Sequence, residues 1–101
     1  MTVFRSALAI QDVWEAAAWF TEVEDAALAL RFVDAIEEAV KQISAQPYLG
    51  PVARGLSGRL KGIRYWRVSR FPHHLVFYRV DEDVVTIIRI LHGARKLDDL
   101  L

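Results

Sequence analysis

The chain has 101 residues, 53% of them hydrophobic, no cysteine, and 13 basic residues balanced by 13 acidic ones. That length holds one domain around one core, residues 1–101, and the lack of cysteine excludes disulfides and thiolate metal sites. Asp, Glu, Lys or Arg interrupts every apolar run before it could span a membrane, and MTVFRSALAI does not read as a signal peptide, so a cytoplasmic protein is expected.

Thr2 to Ala9 alternates, with Val3, Arg5 and Ala7 against Phe4, Ser6 and Leu8, which predicts a first strand. From Ile10 to Val23 the period becomes helical. Ile10, Val13, Trp14, Ala17, Phe20 and Val23 form the apolar stripe, and Asp12 and Glu15 lie near the start, where the helix dipole favours anions. The Glu24-Asp25 pair opens a second, longer helix whose stripe is Leu28, Phe32, Ala35, Ile36, Ala39, Val40 and Ile43, ending before Pro47. The two are expected to form an antiparallel hairpin with one face on a sheet.

QPYLGPVARGLSGRLKG, with two prolines and four glycines, is a long loop ordered by turns. Three strands follow: Ile63–Phe71, ended by Pro72, then His74–Val80, and Val84–His92 after the acidic turn Asp81-Glu82-Asp83. Residues 93–101, GARKLDDLL, are read as a strand extension or a turn of helix. The order β-α-α-β-β-β implies an α+β fold, a helical hairpin on one side of an antiparallel meander with an N-terminal strand.

The neutral total hides a segregation. Residues 11–46 carry eight carboxylates against Arg31 and Lys41, a balance of −6, whereas residues 47–79 carry seven bases and no acid, a balance of +7. Such a dipole can steer a charged partner to one side, or its halves can neutralise each other within the fold. Within RYWRVSRFPHHLVFYRV, alternation separates Arg67 (with Ile63, Tyr65, Ser69 and Phe71) from Arg64 and Arg70 (with Trp66 and Val68). A three-residue turn after Val80 would bring Arg79 and Arg89 to one face, and a two-residue turn would part them; the sequence leaves both open. An arginine in such strands either stacks and pairs on a half-buried face or belongs to a site. His73-His74 reads as a turn beside Pro72 with no further metal ligand nearby, and His92 as a strand-terminal histidine before Gly93 and Arg95. Trp14 is expected in the core; Trp19 and Trp66 are expected at the surface, where tryptophan favours interfaces.

The helix hairpin, QPYLG, RYWRVSRFPHHLVFYRVDED and IIRILHGARKL together resemble the RelE/ParE superfamily of bacterial type II toxins, more closely its ParE branch. The likeness extends over essentially the whole chain, and its most specific part is the pairing of FYRVD with ILHGAR. It implies a toxin neutralised by a cognate ParD-type antitoxin, with DNA gyrase as target and growth arrest as outcome, whereas RelE-type relatives cleave mRNA on the ribosome. Such cleavage needs a base, an acid and phosphate-holding cations. No carboxylate occurs from Ala39 to Val80, Lys61 is the only lysine of the loop and sheet region, and no tyrosine follows Tyr78. A binding toxin is therefore expected, with no cofactor, no metal and no sequence-specific nucleic-acid contact. Its partner-binding candidates are Arg64, Arg67, Arg70, Arg79, Arg89, His92, Arg95, Trp19 and Trp66. The alternative is a ribosome-dependent endoribonuclease using Arg67, Arg79, Arg89 and His92.

Overall fold

The computed structural model describes residues 1–93. They run β1 (Thr2–Arg5), α1 (Ala7–Val23), α2 (Ala26–Ala45), a 3₁₀ turn (Gly58–Leu60), β2 (Arg64–Val68), β3 (Phe71–Asp81) and β4 (Val84–His92). This is the expected α+β order. The readings made for Arg95 and for the rest of the C-terminal segment beyond Gly93 lie outside the described residues. No helix among the described residues is long and apolar enough to cross a membrane.

The sheet has the order β1-β4-β3-β2, and it is mixed rather than wholly antiparallel: β1 lies parallel to β4, from Thr2 beside Val84 to Arg5 beside Ile87. The strand stops at Arg5, not Ala9. Ser6 accounts for this, since its hydroxyl accepts from Ala9 N (3.0 Å) as a helix N-cap and donates to Ile88 O (2.6 Å), starting α1 and tying it to β4 in one step. Asp25 caps α2 the same way, accepting from Leu28 N at 2.8 Å.

The stripe of α2 behaves as its spacing requires: Phe32, Ile36, Ala39, Val40 and Ile43 are buried against Val68, Val76, Tyr78, Val85 and Ile87 of the sheet. The stripe of α1 does not. Ala9, Asp12 and Phe20 are the buried positions, and Trp14, expected in the core, is 72% exposed together with Ile10 and Val23. At 100° per residue, a helix that turns the 9–12–16–20 line inward leaves positions 10 and 14 on its flank.

Two irregularities set the registers. Val68 pairs with Phe71 but Arg67 with Leu75, so Pro72, His73 and His74 bulge away from β2, and Pro72 sits inside β3 instead of ending a strand. Phe71 consequently packs with Phe20 and Phe32 on the helix side, not in the row of Arg67. The β3–β4 turn has two residues, Asp81 pairing with Val84 and Glu82 taking a left-handed φ of 54°. An extra residue, Ile88, then bulges out of β4, and Arg89 pairs with Phe77.

The other face of the sheet is also covered. Leu56 and Leu60 of the long loop pack on Ile63, Phe77 and Leu91 in a second, smaller cluster. The loop's first turn is fastened by Tyr78, a fully buried residue whose hydroxyl donates to Pro47 O (2.8 Å) and accepts from Gly50 N (3.1 Å). Burial pushes the Tyr78 phenol above its usual range. A Cβ at Gly50 would stand 2.5 Å from both Tyr65 O and the Tyr78 hydroxyl, so only glycine fits. Tyr78→Phe leaves Gly50 N and Pro47 O without that partner and is expected to cost about 1–3 kcal/mol, read as a lower urea midpoint at unchanged m-value.

Candidate functional site

The site residues fall on two faces of opposite character. On the hairpin, α1 and α2 part to leave an apolar groove of about 580 Å³ lined by Ile10, Val13, Trp14, Ala17, Leu30 and Val33. One end is closed by Arg5, which donates to both oxygens of Glu37 at 2.5 and 2.8 Å. That pairing draws the Glu37 carboxyl below its usual range and raises the Arg5 guanidinium. Trp19 is exposed, its ring edge-on to Phe20 at 5.1 Å. Trp66 is half-buried rather than exposed, because Nε1 donates to Gln42 Oε1 of α2 at 3.0 Å.

The arginines separate into two groups. Three are engaged by the fold. Arg64 donates to Gly50 O at 2.7 Å and lies 5.1 Å from the centre of the Tyr48 ring. Arg79 donates to the carbonyls of Arg59 and Lys61, holding the loop on the sheet. Arg89 forms a bidentate pair with Asp12, at 2.8 Å from Nε and 2.9 Å from Nη2, and Asp12 also accepts from Ile90 N at 2.9 Å. The Arg89 guanidinium is raised by that hydrogen bonding. Arg79 and Arg89 thus go to separate partners and do not meet. Arg67 and Arg70 are exposed and make no hydrogen bond or ion pair among the described residues.

The histidines are closer to one another than their sequence positions suggest. His74 pairs with His92 across the ladder, and His73 stacks on His92 with ring centres 5.5 Å apart. A third imidazole therefore does lie nearby, yet no three or more His, Cys, Asp or Glu among the described residues are arranged to hold a metal ion. His74 packs against Phe32 at 4.9 Å, and burial, then His92 and His73, hold its pKa below the usual value. Asp12, Glu15, His74, Arg89 and His92 line one small cleft of about 220 Å³. Asp12, Glu15 and His74 were not among the sequence candidates. Glu15 carried only a helix-dipole signal, and the bulges that bring His74 opposite His92 have no local signature.

The architecture defines the chain as an α+β protein with a helical hairpin packed on a mixed four-stranded sheet. Residues 3–97 match the family described as ParE toxin of type II toxin–antitoxin system, parDE, and the chain belongs to that family. Its cognate antitoxin is the partner that membership carries. Among solved structures it is similar to a chromosomal ParDE toxin–antitoxin system from P. aeruginosa, at 22% identity and TM-score 0.75, over 91% of this chain and 95% of that one. A YoeB/ParE toxin from Agrobacterium tumefaciens is similar at 18% identity and TM-score 0.58, over 91% and 98%. A YafQ mutant from E. coli follows at 15% and 0.54, over 91% and 92%. No curated protein matches by sequence.

Two outcomes follow from this geometry. Asp12→Ala removes the bidentate carboxylate from Arg89 and leaves Ile90 N without its acceptor, and is expected to destabilise the fold by about 1–3 kcal/mol in chemical denaturation. His74 has a folded-state pKa below that of the unfolded chain, so the unfolded state binds the extra proton. Its contribution is therefore fully present above the unfolded value of 6.5 and is lost as pH falls below it. The melting temperature should drop between pH 7 and 5, and less steeply in His74→Phe; parallel profiles would assign the drop to other groups.

Proposed function

We propose that the protein is a non-hydrolytic, ParE-like toxin that arrests growth by binding DNA gyrase and is neutralised by a ParD-type antitoxin. The observation that carries this reading is the fate of the sheet arginines. Phosphoryl chemistry asks for preorganised cations whose donors point at the developing charge, and Arg79 and Arg89 direct theirs at loop carbonyls and at Asp12. The carboxylate-free stretch from Ala39 to Val80 supports the same reading. The apolar groove suits the amphipathic helix of an antitoxin, docked through anchors at helical spacing.

One observation favours the ribonuclease alternative: Glu15 and His92 line a common cleft, an acid–base combination that the sequence did not bring together. The readings part in two assays. A gyrase toxin lowers supercoiling or accumulates cleaved DNA with purified gyrase, and antitoxin reverses the effect. A ribonuclease cleaves mRNA on ribosomes and loses that cleavage in His92→Ala. No effect on gyrase removes the first reading.

Antitoxin docking has its own test. Trp14→Glu with Leu30→Glu places two carboxylates in the groove of a protein whose exposed positions tolerate them. Affinity for the antitoxin should fall by about 30-fold or more, the loss of an interface hot spot, while the melting temperature of the toxin alone stays unchanged. Calorimetric titration reads the first and a thermal melt the second.

A further inference from the structure

We infer that the outer face of the sheet, opposite the helices, is a phosphate-backbone surface that grips duplex DNA through Arg54, Arg59, Lys61 and Arg67. This deepens the gyrase reading and rests on it for its biological meaning: the toxin would engage the enzyme while it holds DNA. Arg67 stands on the outer face of β2, opposite Leu75 of β3. Arg54 and Lys61 line a depression with Tyr65, and Arg59 sits in the 3₁₀ turn whose Leu60 packs beneath it. All four cations are exposed, and none makes a hydrogen bond or ion pair among the described residues.

Their presentation is built by the fold. Arg79 holds the carbonyls of Arg59 and Lys61, so both residues are fixed at the backbone while their side chains remain in solvent. Leu56 and Leu60 clamp the loop from below. No acid lies between Ala39 and Val80, and the Asp81-Glu82-Asp83 turn is at the end of β3 away from the register position of Arg67.

The kind of partner follows from what this face lacks. The exposed large hydrophobics lie between Met1 and Leu30, at Tyr48, Leu49 and Val52, and at Val84; of these only Val52 lines the depression of Arg54 and Lys61, and none falls from Ala53 to Asp83. A protein partner needs buried apolar anchors at the centre of its interface. A nucleic-acid backbone needs cations and no anchor. The polyanion is therefore DNA rather than an acidic peptide, and recognition is independent of base sequence.

The test is fluorescence anisotropy of purified full-length protein with a labelled 20-base-pair duplex across a salt series. Four neutralised phosphates give a slope of log K against log salt of about −3 to −4, so binding weakens about 100-fold between 50 and 200 mM salt. Replacing all four by glutamine should abolish the dependence. Arg67→Gln alone should reduce the slope by about 1, which keeps the test alive if the fourfold variant fails to fold. Absence of DNA binding at 50 mM salt, binding unaffected by the glutamine variants, or tighter binding to single-stranded RNA or polyglutamate would each overturn the proposal. Gyrase inhibition that survives loss of DNA binding in the glutamine variants overturns the surface's part in that inhibition and leaves the gyrase reading standing. DNA binding without any effect on gyrase supports the surface and removes that reading.

Discussion

The fold depends on how the open edge of β4 is closed. β1 covers only Val84 to Ile87, yet β4 continues to His92, so among the described residues the backbone beyond the Ile88 bulge has no strand on that side. Asp12 supplies the missing partner from α1, accepting from Ile90 N and from two nitrogens of Arg89. A buried ion pair is weak evidence of net stability, because desolvation offsets most of its Coulomb gain. Its contribution here is orientation. With Asp12 turned to the sheet edge and Ser6 fixed to Ile88 O, the rotation of α1 is set, and Trp14 and Ile10 are left facing the groove.

That rotation has consequences on both sides of the molecule. A helix whose apolar stripe were fully absorbed by the core would leave the hairpin polar outside. Here Trp14 and Leu30 remain in solvent on the half of the chain that carries most of the acids. Arg54, Arg59, Lys61 and Arg67 gather on the opposite side of the sheet, where among the described residues Val52 is the one exposed large apolar side chain in their depression. A neutral total charge thus conceals two surfaces suited to different chemistry. One favours apolar burial and the other charge neutralisation, and only the second should depend steeply on salt.

Periodicity made part of this legible. The α2 stripe, the three-strand meander and the two-helix hairpin follow from spacing, because a helix or strand that buries one continuous face writes its period into the chain. Trp14 was misjudged because α1 buries small residues, Ala9 and Ala16 among them, that carry little hydrophobic signal beside a tryptophan on the flank. Ser6 looked like one more alternating position, whereas its capping bond is the signal that the strand has ended. The bulges at Pro72 and Ile88 decide which arginines and histidines meet, and a bulge is a property of two strands rather than of one local sequence. Asp12 announced itself only as an anion near a helix start; its role at the edge of β4 depends on a residue 77 positions away.

The same contrast explains why arginines in strands are poor guides to function when counted. A guanidinium presents a planar fork of donors, so one side chain can hold two carbonyls or both oxygens of a carboxylate, which an ammonium does less well. Arg79 does the first for Arg59 and Lys61, and Arg89 the second for Asp12. Arg64 reaches the carbonyls of Tyr48 and Gly50 from a single nitrogen. Each joins a loop or helix to the sheet across a long stretch of sequence. Their charge is largely committed to the fold, so the exposed charge of residues 47–79 belongs to Arg54, Arg59, Lys61, Arg67 and Arg70. The apparent cluster of RYWRVSRFPHHLVFYRV is therefore two populations interleaved: Arg64 and Arg79, which hold the loop, and Arg67 and Arg70, which stay in solvent.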